Sequence, residues 1–176
     1  MQRIKDLSPK SKMRSARAHQ KQVLAVVMKF RLIVNSTKRH FKWVETQCGI
    51  NGAQLWVLWE LGQEPGLSVT ELAAAMAIHQ STASNLIDRL VRQKLIARKR
   101  VSDDQRVVTV SLTNAGKRLL GRAPKPARGM LPEALHQLRE AELTSLDKLF
   151  ERVLDQMHAT DKRSMKQPLA DLLTHK

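Results

Sequence analysis

Apolar positions recur at helical spacing along most of the chain, and once the period shortens to that of strands. Val23, Val27, Phe30, Val34, Phe41 and Val44 keep the helical spacing and predict one long helix over about Ala18 to Gln47. Leu24, Val26 and Ile33 widen its stripe, so more than one face is apolar. Such a helix is expected to bury against a second chain as well as its own. Cys48-Gly49 ends it. Asn51 then suits an N-cap for a helix over Gly52 to Gly62. There Leu55, Leu58, Trp59 and Leu61 face inward, with Trp56 on a flank. Gln63-Glu-Pro-Gly66 reads as a turn, and Leu67-Ser68 as a short candidate strand.

The next stretch carries the main signal. Ser68 and Glu71 have the spacing of a capping box in front of a helix over Val69 to Ala77, with Leu72, Ala73 and Met76 on its apolar face. Ile78-His79 is a tight connector. A second helix opens at Gln80, where Ala83, Leu86, Ile87 and Leu90 form one stripe. Gln80, Ser81, Ser84, Asn85 and Arg92 form the opposite face. Two strand-like runs follow, Leu95 to Arg100 and Val107 to Leu112, around the polar tip 101–106. A helix, a short turn, a polar-faced helix and a hairpin predict a winged helix-turn-helix. The fold class is therefore mainly α with a small β wing.

Thr113 is placed to cap a helix continuing over Gly116 to Leu120. Pro124 and Pro126 break it, because proline lacks the amide a helix interior uses. Helices are expected again over Leu131 to Arg139 and over Glu142 to Met157. The latter has Leu143, Leu146, Leu149, Phe150, Val153 and Leu154 on one side. Pro168 to Leu173 suits a last short helix. The expected divisions are a basic arm (1–17), an N-terminal helix that buries against a second chain (18–48), the DNA-binding domain (49–120), and C-terminal helices with a tail (121–176).

Charge narrows the partner. Lys plus Arg number 31 against 16 acids in 176 residues, a formal charge of +15. Such a balance implies a polyanion, with nucleic acid or a membrane surface as the two classes. The basic residues sit on the wing and the arm rather than along one amphipathic face, which favours nucleic acid. No apolar run approaches the roughly 20 residues that span a bilayer. No leader-like apolar segment opens the chain, so a cytoplasmic location is expected. Cys48 is the lone cysteine, which excludes an intrachain disulfide framework. The six histidines show no ligand spacing, so neither a metal nor another cofactor is expected. There is no Gly-rich phosphate loop, nucleophile–base motif or paired carboxylate, and an enzyme is not expected.

Candidate contacts follow from side-chain chemistry. Gln80 and Asn85 carry amides suited to adenine, and Ser81 and Ser84 are small hydrogen-bonding neighbours. Thr82 and Arg92 suit phosphates, which position without specifying. Arg98 and Arg100 share one face of the first wing strand, towards DNA or the wing acids. Arg106 suits a narrow minor groove, with Asp104 placed to hold its guanidinium.

The order of these pieces resembles the MarR family of transcriptional regulators. The resemblance rests on Val69-Thr-Glu-Leu-Ala-Ala, on Ser81-Thr-Ala-Ser-Asn-Leu-Ile-Asp-Arg-Leu, and on Asp104-Gln-Arg106 followed by Leu112-Thr113. It implies a homodimer, built by the N-terminal dimerisation helix (18–48) and the C-terminal dimerisation helices (121–176), on pseudo-palindromic double-stranded DNA. It also implies release by a small aromatic or phenolic acid bound where the dimer helices meet the DNA-binding lobe. Arg39, His40, Trp43, Trp56 and Trp59 are the cations and aromatics on the helices that would line such a pocket. Three departures stand out. Lys94 replaces the family's usual glycine after the recognition helix, Asn85 stands where many relatives carry arginine, and Pro124–Pro126 interrupts a helix that is usually continuous. Two other readings remain open: an architectural DNA-binding protein without an effector, and a redox-responsive regulator acting through Cys48.

Overall fold

The computed structural model describes residues 9–100, 108–159, 161 and 164–174. Helix α1 runs Pro9–Cys48, and two compact units divide within it, one ending at Ser36 and one beginning at Thr37. The helix starts well before Ala18, so residues 9–17 of the basic arm are helical. Charge does not break a helix, and Lys10 to Arg17 contains no Gly or Pro to stop one. Proline at the first helical position is tolerated because its missing amide would be unpaired there anyway. Gly49 closes the helix at φ 66°, and its N–H donates to the Glu45 carbonyl at 2.9 Å.

From Thr37 onward the elements form one compact unit. They are α2 (Gly52–Gln63), β1 (Leu67–Ser68), α3 (Val69–Ala75), α4 (Gln80–Arg92), β2 (Ile96–Arg100), β3 (Val108–Leu112), α5 (Asn114–Arg122), α6 (Met130–His136), α7 (Glu140–Gln156), a 3-10 turn (Ser164–Lys166) and α8 (Leu169–Thr174). The expected capping box at Ser68 and the expected N-cap at Asn51 are both present, and Asn51 forms a box of its own with Gln54. Asn51 Oδ1 accepts the Gln54 N–H at 2.8 Å while Gln54 Oε1 accepts the Asn51 N–H at 3.0 Å. Ser68 and Glu71 exchange the same pair at 3.2 and 2.7 Å. Each cap fills helix-end amides that would otherwise need water, at about 1 kcal/mol per cap.

Leu55, Leu58, Leu72, Ile87, Leu90 and Val110 are completely buried and define the centre of the core. Burying each large aliphatic side chain is worth roughly 1.5–3 kcal/mol. The whole predicted stripe of α4, namely Ala83, Leu86, Ile87 and Leu90, points into this core. The sheet is antiparallel in the order β1-β3-β2, with Leu67 opposite Val110 and Ile96 opposite Leu112. Leu95 does not begin the wing strand, because its N–H closes α4 on the Leu90 carbonyl at 3.0 Å. Arg139 likewise belongs to the start of α7 rather than the end of α6. Glu142 accepts both the Arg139 N–H at 3.0 Å and its guanidinium at 2.8 Å.

The end of α4 shows what Lys94 does in place of glycine. Lys94 takes φ 58°, the left-handed conformation. Its N–H donates to the Val91 carbonyl at 2.9 Å, and Leu95 bonds back to Leu90, which together make a Schellman ending. Thr113 then ties the hairpin back to that ending. Its N–H donates to the Leu95 carbonyl at 3.1 Å, and its hydroxyl oxygen lies 2.8 Å from the Lys94 carbonyl and accepts the Gly116 N–H at 3.1 Å. A Cβ on Gly116 would fall 2.0 Å from the Leu95 carbonyl oxygen, so only glycine fits there. Lys94→Gly should raise the unfolding free energy by about 1 kcal/mol, because glycine accepts a positive φ without strain. Urea denaturation of the two proteins measures the difference, and equal midpoints would show that Lys94 carries no strain.

Candidate nucleic-acid interface

With its apolar stripe buried, α4 turns Gln80, Ser81, Asn85 and Arg92 outward, all exposed, with Ser84 and Thr82 half-buried beside them. The turn before it is short and fixed. Ala77 takes φ 52°, Ile78 is buried, and the Ile78 N–H donates to the Ala73 carbonyl at 3.0 Å. The angle between α3 and α4 is therefore set by backbone bonds as well as by packing. Gln80 Nε2 donates to Thr70 Oγ1 at 3.2 Å, joining the polar surfaces of the two helices. His79 occupies the N-cap position and makes no side-chain cap bond, so Ser81 and Thr82 sit inside the first turn rather than capping it. The first-turn amides and the positive end of the helix dipole thus point to the surface between Gln80 and Thr82.

The wing supplies a second cationic element. Arg98 on β2 lies 2.6 Å from Asp88 Oδ1 on α4. Among the described residues its partner is therefore an acid of the recognition helix. Both groups are about 40% exposed, so the pair adds little stability. Its effect is to hold the guanidinium beside the α4 surface. Asp88 was not picked out from sequence, although its place between Asn85 and Arg92 on the polar face was the available signal. Arg100 is the last residue of β2, across from Val108. Asp104 and Arg106 lie outside the described residues.

The C-terminal segment reaches this surface as well. The His79 N–H donates to the Lys166 carbonyl at 3.2 Å, and Ala170 of α8 is only 3% exposed within the core. Gln167, Pro168, Asp171 and Leu172 share a cavity of about 280 Å³ with Thr82, Asn85, Leu86 and Arg89. One edge of α4 is thus flanked by the tail, while Gln80, Ser81, Ser84 and Arg92 do not line this cavity. Nothing in the periodicity of the tail indicated where it would dock.

The expected effector residues fall into two groups. On α1, Arg39 is exposed, Trp43 is 51% exposed, and His40 is buried with its ring edge-on to Trp43 at 6.2 Å. Burial holds the His40 imidazole below its ordinary value, partly offset by its hydrogen bond to the Pro126 carbonyl. On α2, Trp56 Nε1 donates to Glu60 at 2.6 Å, and Trp59 packs under the Arg128 guanidinium at 4.1 Å. Trp56, Glu60, Arg128, Pro132, Leu135, His136 and Leu143 line a cavity of about 410 Å³, which none of Arg39, His40 and Trp43 reaches. Arg128 Nε is buried there with no hydrogen-bond partner among the described residues. This cation had no sequence signal, since it follows the proline break and belongs to no periodic stripe.

Cys48 is half-buried, and burial pushes its thiol up, with Arg122 acting in the opposite direction. A protonated thiol is a poor target for oxidation, which weighs against redox sensing. Among the described residues no three His, Cys, Asp or Glu converge to hold a metal. No helix there is long and apolar enough to cross a membrane.

A helix-turn-helix backed by a three-stranded antiparallel wing sheet, with its second helix turned outward, is a winged-helix DNA-binding domain. A profile of the MarR family matches residues 49–107. The chain is 29% identical over 118 residues to the HTH-type transcriptional repressor MdtR of Bacillus subtilis (strain 168), covering 67% of this chain and 76% of that protein. Two solved structures superpose at 26% identity and a TM-score of 0.52. One is a MepR-like protein complexed with pseudoligands, over 79% of this chain and 94% of that one. The other is the S. aureus MepR–DNA complex, over 74% and 96%. The chain is therefore similar to MarR family transcriptional regulators over its DNA-binding domain, and the relatives it matches are named as regulators rather than enzymes.

His40 generates a pH prediction. A histidine whose folded pKa is lowered binds fewer protons folded than unfolded, so stability falls as pH drops through the ordinary value of 6.5. His40→Asn should flatten that part of the pH dependence of the denaturation midpoint. An unchanged slope would remove His40 as its source.

Proposed function

We propose that the protein is a dimeric, sequence-specific DNA-binding repressor that a small aromatic carboxylate releases from a pseudo-palindromic operator. The observation that carries the DNA-binding part is the division of α4. Its apolar stripe is buried, and its amide and hydroxyl groups face out beside the wing. In this reading Gln80, Ser81, Ser84 and Asn85 meet base edges in the major groove. Thr82, Arg92, Arg98 and Arg100 meet phosphates, as do the first-turn amides of α4. Arg106, steadied by Asp104, enters the minor groove. Repression by MdtR and the DNA complex of MepR support the assignment by similarity.

Dimerisation is supported by exposed apolar side chains on two helices. Val23, Val26, Val27 and Val34 of α1 and Leu143, Leu149, Val153 and Leu154 of α7 are all more than a third exposed. Patches of this kind mark interaction sites. A two-fold dimer would set the recognition helices about 34–36 Å apart, one turn of DNA. For the effector, the cavity lined by Trp56 and Arg128 offers an aromatic wall beside a guanidinium, the pair of features an aromatic carboxylate uses. Arg39, His40 and Trp43 would then line the dimer side without touching that cavity.

A titration against DNA from the region upstream of its own coding sequence and against random duplex, across a range of salt, tests the reading. Sequence-specific regulation requires an affinity ratio on the order of a thousand or more. A ratio near one, with equal salt slopes, would make the protein an architectural binder that works by charge. Asn85→Ala should lower that ratio about five- to a hundred-fold, the equivalent of one lost base contact at about 1–3 kcal/mol. Equal losses on both duplexes would show that Asn85 is not a base reader. For the effector, benzoate should raise the thermal midpoint of the wild type and leave that of Arg128→Gln unmoved. A shift of equal size in both proteins would exclude Arg128 as the carboxylate partner.

A further inference from the structure

Helix α1 segregates charge in a way that folding alone does not call for. Between Pro9 and Cys48 there are ten Lys or Arg and one acid, Glu45, and no acid occurs from Leu7 to Val44. At about 100° per residue, Arg14, Arg17, Lys21 and Arg31 fall within roughly 100° of arc. Val23, Val26, Val27 and Val34 lie on the other side. All four cations are exposed. Arg14–Arg17 and Arg17–Lys21 are like-charged neighbours at helical spacing, which repel one another. This repulsion weakens the free helix and is relieved when a polyanion lies along it.

We propose that the basic face of α1 around Arg14, Arg17 and Lys21 is a second contact for duplex DNA, made to phosphates alone. The proposal rests on the DNA-binding reading for the identity of the polyanion. A membrane surface has the same charge but asks for an apolar face beside the cations. From Pro9 to Gln22 the only large apolar residue is Met13, and the valine stripe begins at Val23. This part of the helix therefore offers charge without anything to insert. The three cations span about 10 Å of helix, a short strip along which DNA presents several phosphates.

The test uses the full chain and its triple variant Arg14→Gln, Arg17→Gln, Lys21→Gln, with circular dichroism to verify that helicity is kept. Both are titrated with a random duplex of about 40 base pairs over a range of salt. Loss of three phosphate contacts per protomer at about 0.9 each lowers the magnitude of the slope of log K against log salt by about 2.7 for each arm on the duplex, or about 5.4 for a dimer with both arms engaged. On the upstream duplex the triple variant should lose affinity by the same factor, leaving the specific-to-random ratio unchanged. An unchanged slope on random duplex overturns the proposal. So does a collapsed ratio with the slope intact, which would assign the face to sequence reading. Vesicles of phosphatidylserine and phosphatidylcholine form the remaining arm. Vesicle binding that the variant loses while its DNA slope stays fixed would assign the face to a membrane surface and likewise overturn the proposal. A wild-type ratio near one would sink the operator reading alone, because the slope on random duplex still tests the arm.

Discussion

Burial of four side chains on α4 governs the arrangement of the DNA-binding unit. Ala83, Leu86, Ile87 and Leu90 can leave water together only if one face of the helix lies against α2 and α3. That single requirement turns Gln80, Ser81 and Asn85 to the surface. The same core holds Val110 of the middle strand, so the wing sheet and the recognition helix share one apolar support. A cavity at Ile87 or Leu90 would therefore disturb the presented polar face as well as the stability of the fold.

The junction behind α4 translates that support into a wing position. Lys94 in the left-handed conformation ends the helix, Thr113 reaches back to the carbonyls at that ending, and Gly116 leaves room for the approach. The Leu112-Thr113 pair of the family resemblance acquires a physical meaning here. Leu112 stands opposite Ile96 in the hairpin, while Thr113 both starts α5 and anchors the end of α4. The geometry that glycine supplies most cheaply is kept without it, because backbone bonds on both sides over-determine the turn.

Much of the unit from Asn51 to Arg122 was legible in the sequence, since its signals are local. Capping boxes need partners three residues apart, and an amphipathic stripe needs only its own period. The candidate DNA face was legible for the same reason, as the residues left over once the stripe of α4 is assigned. Arg98 was placed on the correct strand, but its pairing with Asp88 was not foreseen, because Asp88 is ten positions away in the chain and meets it only across the fold. The suggested effector set was split for a similar reason. Arg39, His40 and Trp43 belong to α1, whereas the cavity beside Trp56 takes its cation from Arg128.

The sequence by itself therefore determined which segments are helix or strand, which face of each is apolar, and that the chain carries a large surplus of positive charge. These follow from periodicity, capping chemistry and composition, all of which act over a few residues. Only the tertiary structure decided that the tail docks beside Thr82 and Asn85, that Arg128 stacks on Trp59 with a buried, unsatisfied Nε, and that Lys94 keeps a glycine-like turn. Each depends on groups far apart in the chain meeting in a core whose packing no local pattern encodes.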